Sequence, residues 1–189
     1  MSTKPRGKRP PLPGRLQPTD DDIAAMIRVD HAGEFGALRI YEGQLAVLGS
    51  ESTSGAVAIR QMAEQEKTHF DVFDEMVKER RVRPTALEPV WRVVGFALGA
   101  ATALMGEKAA MACTVAVEDV IDDHYRNQIE RLGKKEPELK AAIARFREDE
   151  CAHRDEAMAH GATEAPAYPL LAAAIRLSCR IAIGLSERL

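Results

Sequence analysis

One spacing of Glu and His residues occurs twice in this chain, and it constrains the fold more than any other feature. The first copy is Glu34 followed by Glu66-Lys-Thr-His69, and the second is Glu118 followed by Glu150-Cys-Ala-His153. Every residue of the second copy lies 84 positions after its counterpart in the first. The same shift relates four further pairs: Tyr41 and Tyr125, Gln44 and Gln128, Leu48 and Leu132, and Gly49 and Gly133. A repeat of this kind indicates a duplicated structural unit.

Each copy is predicted to be a hairpin of two helices. Gly49 lies near the midpoint between Glu34 and Glu66, and Gly133 lies near the midpoint of the second copy. At a rise of about 1.5 Å per residue, both arms of an antiparallel hairpin carry their acidic residues roughly 24 Å from the turn. We therefore expect the four Glu and two His side chains to meet at one level.

The residue types in this pattern are typical metal ligands. Residues three apart share a helix face, so each Glu-x-x-His pair can direct both side chains to one point. Two helices with one Glu each and two with Glu-x-x-His are typical of four-helix bundles that hold two iron or manganese ions. The predicted ligands are Glu34, Glu66, His69, Glu118, Glu150 and His153. By the repeat, Glu66 and Glu150 are the predicted bridges.

The alternative is that these residues are ordinary surface charges on amphipathic helices. Against it, Glu118 follows the apolar run Met111-Ala-Cys-Thr-Val-Ala-Val117, where an unpaired carboxylate would be costly to desolvate. Bound divalent metal removes that cost. Mixed carboxylate and imidazole donors suit iron, so the pattern favours O2 activation over hydrolysis.

The predicted fold class is all-α: a ferritin-like four-helix bundle made of two repeated hairpins, with two additional apolar or amphipathic helices. The bundle helices are predicted at about 20–48, 54–81, 107–132 and 137–161. Thr19 and Asp22 resemble a capping box at the start of the first bundle helix. Pro137 suits the first turn of the fourth bundle helix.

The two additional helices are predicted at 89–105 and 168–186. Residues 89–105 carry one charge, Arg92, and are short for a membrane span. Residues 168–186 place Arg176 and Arg180 on one face, which favours a helix lying on a membrane surface. The alternative is a helix packed on the bundle or between the subunits of a homo-oligomer.

Composition limits the other classes of function. A length of 189 residues with 46% hydrophobic residues suits one domain, and the net charge of −3 argues against nucleic-acid binding. The three cysteines lack a C-x-x-C spacing, so we expect buried free thiols in a reducing compartment and no rubredoxin-type site. Residues 1–18 are predicted to be a disordered basic tail, and residues 19–189 the helical di-iron domain.

A set of motifs is distributed along the chain: Arg28-Val-Asp-His-Ala-Gly-Glu34, Tyr41, Glu66-Lys-Thr-His69, Ala112-Cys-Thr-Val-Ala-Val-Glu118, His124-Tyr125 and Glu150 to His153. Together these motifs resemble the demethoxyubiquinone hydroxylase family of ubiquinone biosynthesis. The resemblance covers roughly residues 20–189. Its most specific motifs are the first and the fourth, because the bare ligand pattern occurs in other ferritin-like proteins.

The resemblance implies an O2-dependent monooxygenase with two Fe ions as cofactor. Its implied substrate is a polyprenylated methoxy-methyl-benzoquinol, and the same six ligands carry over. His124 and Tyr125 match the family's pair near the site that handles substrate and electron entry. An external donor such as NADH, and a partner protein of the ubiquinone pathway, are also expected. The implied location is peripheral on the cytoplasmic face of a bacterial inner membrane, or on the matrix side of the mitochondrial inner membrane.

Three other functions fit parts of the pattern. A ferritin-like ferroxidase or iron store can use the same six ligands, and so can a rubrerythrin-like peroxidase. The non-enzymatic alternative is a membrane-surface scaffold in which the metal only stabilises the bundle.

Among residues around the site, the sequence offers Asp30, Asp122 and Asp149 as partners for the histidines, without ranking them. For His31 the sequence leaves two alternatives open: a place around the metal site or an ordinary position on the helix surface. For Tyr41 it favours packing in the core.

Overall fold

The computed structural model describes residues 18–49 and 53–189, and this part of the chain is helical without strands. The described residues form six α-helices, in chain order α1 (Asp20–Leu48), α2 (Ser54–Glu79), α3 (Glu88–Leu104), α4 (Glu107–Leu132), α5 (Pro137–Ala159) and α6 (Tyr168–Ser186). A short 3₁₀ turn, Ala162–Glu164, precedes α6. The all-α prediction and the positions of all six helices are confirmed. The predicted tail falls on residues 1–17, outside the described residues, and on Pro18.

Local chemistry explains most of the helix ends. Thr19 and Asp22 form the expected capping box, with the Thr19 amide donating to Asp22 Oδ2 at 2.8 Å. Helix α2 ends at Glu79 instead of Arg81, because Arg81 adopts a φ of 52° that cannot continue a right-handed helix. Gly133 has a φ of 59°, whereas Gly49 has −66°, so the two turns are equivalent in position and differ in conformation.

Helices α1, α2, α4 and α5 form the bundle, and two apolar clusters close its ends. The Phe73 cluster contains the start of α1, the end of α2, the end of α4 and the start of α5. Its members include Ile23, Ile27, Phe73, Val77, Leu132, Leu139, Ile143 and Phe146. The Met111 cluster contains the opposite end of each helix, including Leu48, Ala56, Ile59, Met62, Ala109, Met111 and Ala157. The predicted ligands fall between the two clusters on every helix.

This arrangement means that the two hairpins enter the bundle from opposite ends. Because α2 ends at the Phe73 cluster and α4 begins at the Met111 cluster, the chain must travel the length of the bundle between them. Helix α3 spans that distance: its 17 residues extend about 25 Å. The segment outside the repeat is therefore the crossover connection of a ferritin-like fold.

Glycines allow α3 to lie directly against α1. A Cβ at Gly99 would overlap the Ile40 carbonyl, and one at Gly43 would overlap the Phe96 carbonyl. Only glycine permits so close a backbone approach. Helix α6 covers α4, where Arg176 donates to Asp119 at 2.6 Å. Trp91 on α3 also donates to Ser186 on α6 at 3.0 Å, which ties the two added helices together.

The outer faces of α3 and α6 expose large apolar side chains. These residues include Val90, Val93, Val94, Phe96, Leu104, Leu170, Leu177, Ile181 and Leu185. Within residues 18–49 and 53–189, α6 is the one helix that is long and apolar enough to cross a membrane, by length and composition only. Among the cysteines, all free, Cys113 is buried while Cys151 and Cys179 are partly exposed. The prediction of three buried thiols is wrong for these two, because Cys151 lies beside Asp122 near the surface and Cys179 faces a groove between α6 and the bundle.

Candidate metal centre

All six predicted ligands converge in the middle of the bundle, and each is at most 3% exposed. They form two overlapping groups, each with potential ligand atoms within 4.8 Å of one another. One group is Glu34, Glu66, His69 and Glu150, and the other is Glu66, Glu118, Glu150 and His153. Glu66 and Glu150 belong to both groups. This geometry suits two cations that share two carboxylates.

Both histidines direct the same ring nitrogen into the cluster. His69 Nδ1 lies 3.1 Å from Glu150 Oε1 and 3.7 Å from Glu34 Oε2. His153 Nδ1 lies 3.1 Å from Glu150 Oε2 and 3.2 Å from Glu66 Oε1. One imidazole is therefore available to each of the two groups.

The electrostatics of the cluster favour added positive charge. Burial raises the pKa of Glu66 and of Glu118 well above the ordinary value, and repulsion from Glu150 and Glu34 adds to the effect. Burial lowers the pKa of His69, but hydrogen bonds to Glu150 and Glu34 outweigh it and raise the value to about 10. Several buried carboxylates at such short range are unfavourable unless cations or protons balance them.

A carboxylate oxygen without a hydrogen-bond donor also indicates that the cluster can hold iron. Glu66 Oε1 is fully buried and accepts no hydrogen bond from the described residues, although His153 Nδ1 lies 3.2 Å away, so this oxygen at the centre of the cluster can bind a cation. Buried carboxylate oxygens without a partner are strongly disfavoured, and a bound cation satisfies them. Carboxylate oxygen and imidazole nitrogen together are donors that iron accepts.

The outward nitrogens of both histidines are held by polar side chains on the opposite hairpin. His69 Nε2 lies 3.1 Å from Asp149 Oδ2, and His153 Nε2 lies 2.7 Å from Gln65 Oε1. Asp149 was one of three predicted candidates. Gln65 was missed, although its position 84 residues before Asp149 in the repeat is a signal that would have found it.

The other two candidate aspartates do not contact the histidine ligands in the described structure. Asp122 accepts a hydrogen bond from Arg147 at 2.6 Å, on the outer side of the bundle. Asp30 is buried and pairs with His124. His31 is only 4% exposed, with its ring against Phe70 and Nε2 3.4 Å from Asp74 Oδ1, so the surface interpretation of His31 is wrong.

Two tyrosines link the hairpins at the level of the cluster. Tyr41 donates a hydrogen bond to Glu118 Oε1 at 3.2 Å, and Tyr125 donates one to Glu34 Oε1. Burial, together with the neighbouring carboxylates, raises the pKa of both tyrosines well above 10.0, so both remain neutral donors. The prediction that Tyr41 only packs in the core was incomplete, because its hydroxyl reaches a carboxylate.

His124 lies beside this cluster and outside it. Its Nε2 is 3.0 Å from Asp30 Oδ1, and Gln128 donates to the same oxygen at 2.8 Å. Its ring centroid is 5.9 Å from that of Tyr125. The side chain of His124 is 12% exposed, while that of Asp30 is fully buried. The ring of His124 therefore lies beside the ring of Tyr125, whose hydroxyl bonds to Glu34.

An apolar groove of about 320 Å³ runs beside the cluster. Helices α1, α3, α4 and α6 all contribute to its walls. The lining residues include Gly33, Gly36, Ala37, Trp91, Gly95, Val117, Ile121, Cys179 and Ala182. Gly33 precedes Glu34 in sequence and Val117 precedes Glu118, so the groove lies against the helix segments that carry two predicted ligands. It can accommodate an extended apolar molecule.

A second, polar cleft of about 500 Å³ lies between α2 and α5. Its lining includes Gln65, Thr68, Glu156 and His153. The outward hydrogen bond of His153 thus faces a surface that water can reach.

Comparison with known proteins agrees with these features. A family model described as ubiquinone biosynthesis protein COQ7 matches residues 21–186. A Rhodospirillum rubrum protein, 3-demethoxyubiquinol 3-hydroxylase, is 55% identical over 175 residues, which are 90% of this chain and 82% of that protein. The human NADPH-dependent 3-demethoxyubiquinone 3-hydroxylase, mitochondrial, is 54% identical over 171 residues, covering 88% and 78%. A Saccharomyces cerevisiae 5-demethoxyubiquinone hydroxylase, mitochondrial, is 40% identical over 179 residues, covering 87% and 77%.

Proposed function

This chain belongs to the family of ubiquinone biosynthesis protein COQ7, whose relatives are hydroxylating enzymes, and from that premise we propose that it is a di-iron, O2-dependent monooxygenase. Its proposed substrate is a polyprenylated methoxy-methyl-benzoquinol of ubiquinone biosynthesis. The ring C–H becomes C–OH, and the second oxygen atom leaves as water after two electrons and two protons are supplied.

The six buried Glu and His residues are the proposed ligands. Glu34 and His69 would hold one iron, and Glu118 and His153 the other, with Glu66 and Glu150 shared. The membership of Glu66 and Glu150 in both groups supports this division. When bound, the two iron ions supply the activation of O2.

The observation that carries the proposal is the apolar groove beside the ligands. An iron store or a ferroxidase handles a small hydrated ion and has no use for an apolar channel bordered by Gly33 and Val117. A quinol with an isoprenoid tail needs one, because the ring must reach the metals while the tail stays out of water. We propose that the ring end lies near Glu34 and that the tail follows α3 and α6.

The exposed apolar faces of α3 and α6 favour a location on a membrane. An isoprenoid substrate resides in a lipid bilayer, and the apolar side chains Val93, Leu177 and Ile181 are at least half exposed. We propose that these faces rest on the membrane, so the groove draws substrate directly from it. A bacterial cytoplasmic face and the mitochondrial matrix side are both compatible, since the relatives include bacterial and mitochondrial proteins.

Electrons must come from outside the chain, which lacks a Gly-rich dinucleotide loop. The human relative is named as NADPH-dependent, and we propose a reduced nicotinamide as the donor here. His124 and Tyr125 are the proposed entry point. The ring contact between His124 and Tyr125 supports that role, because it places a partly exposed imidazole beside a tyrosine that is hydrogen-bonded to a ligand.

The decisive experiment uses the full chain loaded anaerobically with Fe(II). A short-tailed demethoxyquinol and isotopically labelled O2 are added, and the quinone product is analysed by mass spectrometry. We expect one labelled oxygen in the ring. Glu118→Ala, which lacks one ligand, is the control. Oxidised iron without labelled product, in protein shown to bind the quinol, would contradict the hydroxylase and favour the ferroxidase.

A further inference from the structure

The two halves of the repeat differ at the position that directly precedes each Glu-x-x-His motif. Residues 65 and 149 are equivalent under the shift of 84, and each directly precedes the Glu of its Glu-x-x-His motif. Residue 65 is glutamine, whereas residue 149 is aspartate. The tyrosines that bond to Glu118 and Glu34 are identical in the two halves. The difference at 65 and 149 therefore changes the chemistry around otherwise matching ligands.

Each of these residues serves the histidine of the other hairpin. Asp149 on α5 lies 3.1 Å from His69 Nε2 on α2, and Gln65 on α2 lies 2.7 Å from His153 Nε2 on α5. Both histidines turn Nδ1 towards the carboxylates. When Nδ1 binds a metal ion, Nε2 carries the proton and donates it, once to a carboxylate and once to an amide oxygen.

The two acceptors have different effects on the imidazole. A carboxylate draws the Nε2 proton towards itself, which increases the electron density at Nδ1 and makes it a stronger ligand. An amide oxygen fixes the ring without adding negative charge. Loss of such an outer partner typically lowers metal affinity by about 10- to 100-fold. The Asp149 side chain is 40% exposed, so solvent screening places the expected effect near the lower limit.

We propose that the two metal positions are unequal: the position that contains His69 binds divalent metal more tightly and fills first, and Asp149 and Gln65 are the positioning residues that set this difference. The proposal rests on the proposed function only for the identity of the ligands. According to this proposal, residues 65 and 149 determine the order in which the two positions bind metal.

Stepwise metal binding tests this inference without any measurement of activity. The metal-stripped full chain is titrated anaerobically with Co(II), and its absorption spectrum reports each site. We expect two binding steps that differ by about 10-fold in the wild type. His153→Ala should retain the tighter step, and His69→Ala the weaker one.

Exchange of the two partners supplies matched controls. In Asp149→Asn both acceptors are amides, and in Gln65→Glu both are carboxylates, so each variant should bring the two constants within about 3-fold of one another. The double variant Q65E/D149N should restore two steps with the order reversed. A merely structural contact would not reverse the order. Circular dichroism verifies that every variant remains helical.

The outcomes separate this inference from the proposed function. Two equal steps in the wild type, or unequal steps that survive in Asp149→Asn and Gln65→Glu, would overturn the inferred inequality and leave the ligand set intact. Failure of the wild type to bind two Co(II) ions would overturn the ligand set as well.

Discussion

The hydroxyl of Tyr41 on α1 donates a hydrogen bond to the carboxylate of Glu118 on α4, 3.2 Å away, and so joins the two hairpins at the level of the metal site. Its repeat counterpart, Tyr125, makes the reciprocal contact with Glu34. The two contacts are alike in chemistry, but only Tyr125 is adjacent to His124. The tyrosine pair is therefore an internal control for the proposed electron entry.

Tyr41→Phe and Tyr125→Phe should have similar effects on stability and different effects on turnover. Each removes one buried hydrogen bond to a carboxylate, which we expect to destabilise the fold by about 1–3 kcal/mol. If electrons enter through His124 and Tyr125, only Tyr125→Phe should also slow reduction of the bound iron. Denaturant unfolding and stopped-flow reduction of iron-loaded protein measure the two effects. Equal reduction rates would argue against the proposed entry point.

Replacement of a ligand carboxylate should stabilise the metal-free protein. Burial raises the pKa of Glu66, so its ionised form is unfavourable in the folded state at neutral pH. In Glu66→Gln this charge is absent, and metal-free protein should unfold at a higher denaturant concentration than the wild type. The same variant should lose most of its metal affinity. A ligand substitution that lowers stability in both forms would instead indicate a structural role for Glu66.

The metal-free protein should lose stability as the pH rises. Carboxyl groups with a raised pKa, as at Glu66 and Glu118, stabilise the fold below their ordinary value and lose that contribution as the pH rises through the folded value. His69 acts in the same direction between its ordinary pKa of 6.5 and about 10. Glu150 acts oppositely at acidic pH: burial raises its pKa, but hydrogen bonds from His153 and His69 lower it to about 2. That contribution should disappear as the pH falls from 4.5 to about 2.

Urea unfolding between pH 5 and pH 9 checks this prediction, with and without saturating Co(II). Bound metal supplies the balancing charge, so the alkaline decline should be much smaller in the loaded protein. Equal declines in both forms would mean that other groups control the pH dependence.

Gly99→Ala should weaken the attachment of α3 to α1. The added Cβ would overlap the Ile40 carbonyl, and overpacking of this kind typically destabilises by about 1–3 kcal/mol. Gly184→Ala on α6 is the matched control, because nothing lies within 4 Å of a Cβ there. The control should be neutral or stabilising by up to about 1 kcal/mol. Urea unfolding compares the two, and the fluorescence of Trp91 reports movement of α3.

Gly36→Leu should separate stability from substrate binding. Gly36 lines the groove, and a Cβ at this position meets nothing within 4 Å. Removing a glycine from the interior of α1 should stabilise the helix by roughly 0.5–1 kcal/mol. The leucine side chain should occupy groove volume and raise the KM for a prenylated quinol, with metal content unchanged. Gly36→Ala is the graded control, and an unchanged KM in Gly36→Leu would move the substrate away from this groove.

The sequence predicted the helices and the six converging residues because both depend on position along the chain. The 84-residue shift sets the height of each ligand, and Thr19, Gly133 and Pro137 mark helix ends through local chemistry. Contacts between hairpins were harder to predict, because they depend on how each helix is rotated about its axis. The interaction of Gln65 with His153 and that of Tyr41 with Glu118 both belong to this class.

The environment of Asp30 was also beyond the sequence alone. Asp30 was one of three unranked candidate partners for the histidine ligands, but its neighbours His124 and Gln128 come from a helix about ninety residues further along the chain. The close contact of α3 with α1 depends in the same way on glycines in both helices. Periodicity describes one helix at a time, so it contains no information on such pairs.

The crossover helix α3 has a consequence for how such a protein can diverge. Duplication of a hairpin obliges the polypeptide to return along the bundle once, and this return path became a wall of the groove. The metal ligands lie entirely on the duplicated helices, whereas α3 and α6 carry none of them. Mutations in the return path can therefore reshape the room available to a substrate while the duplicated ligand framework keeps its geometry.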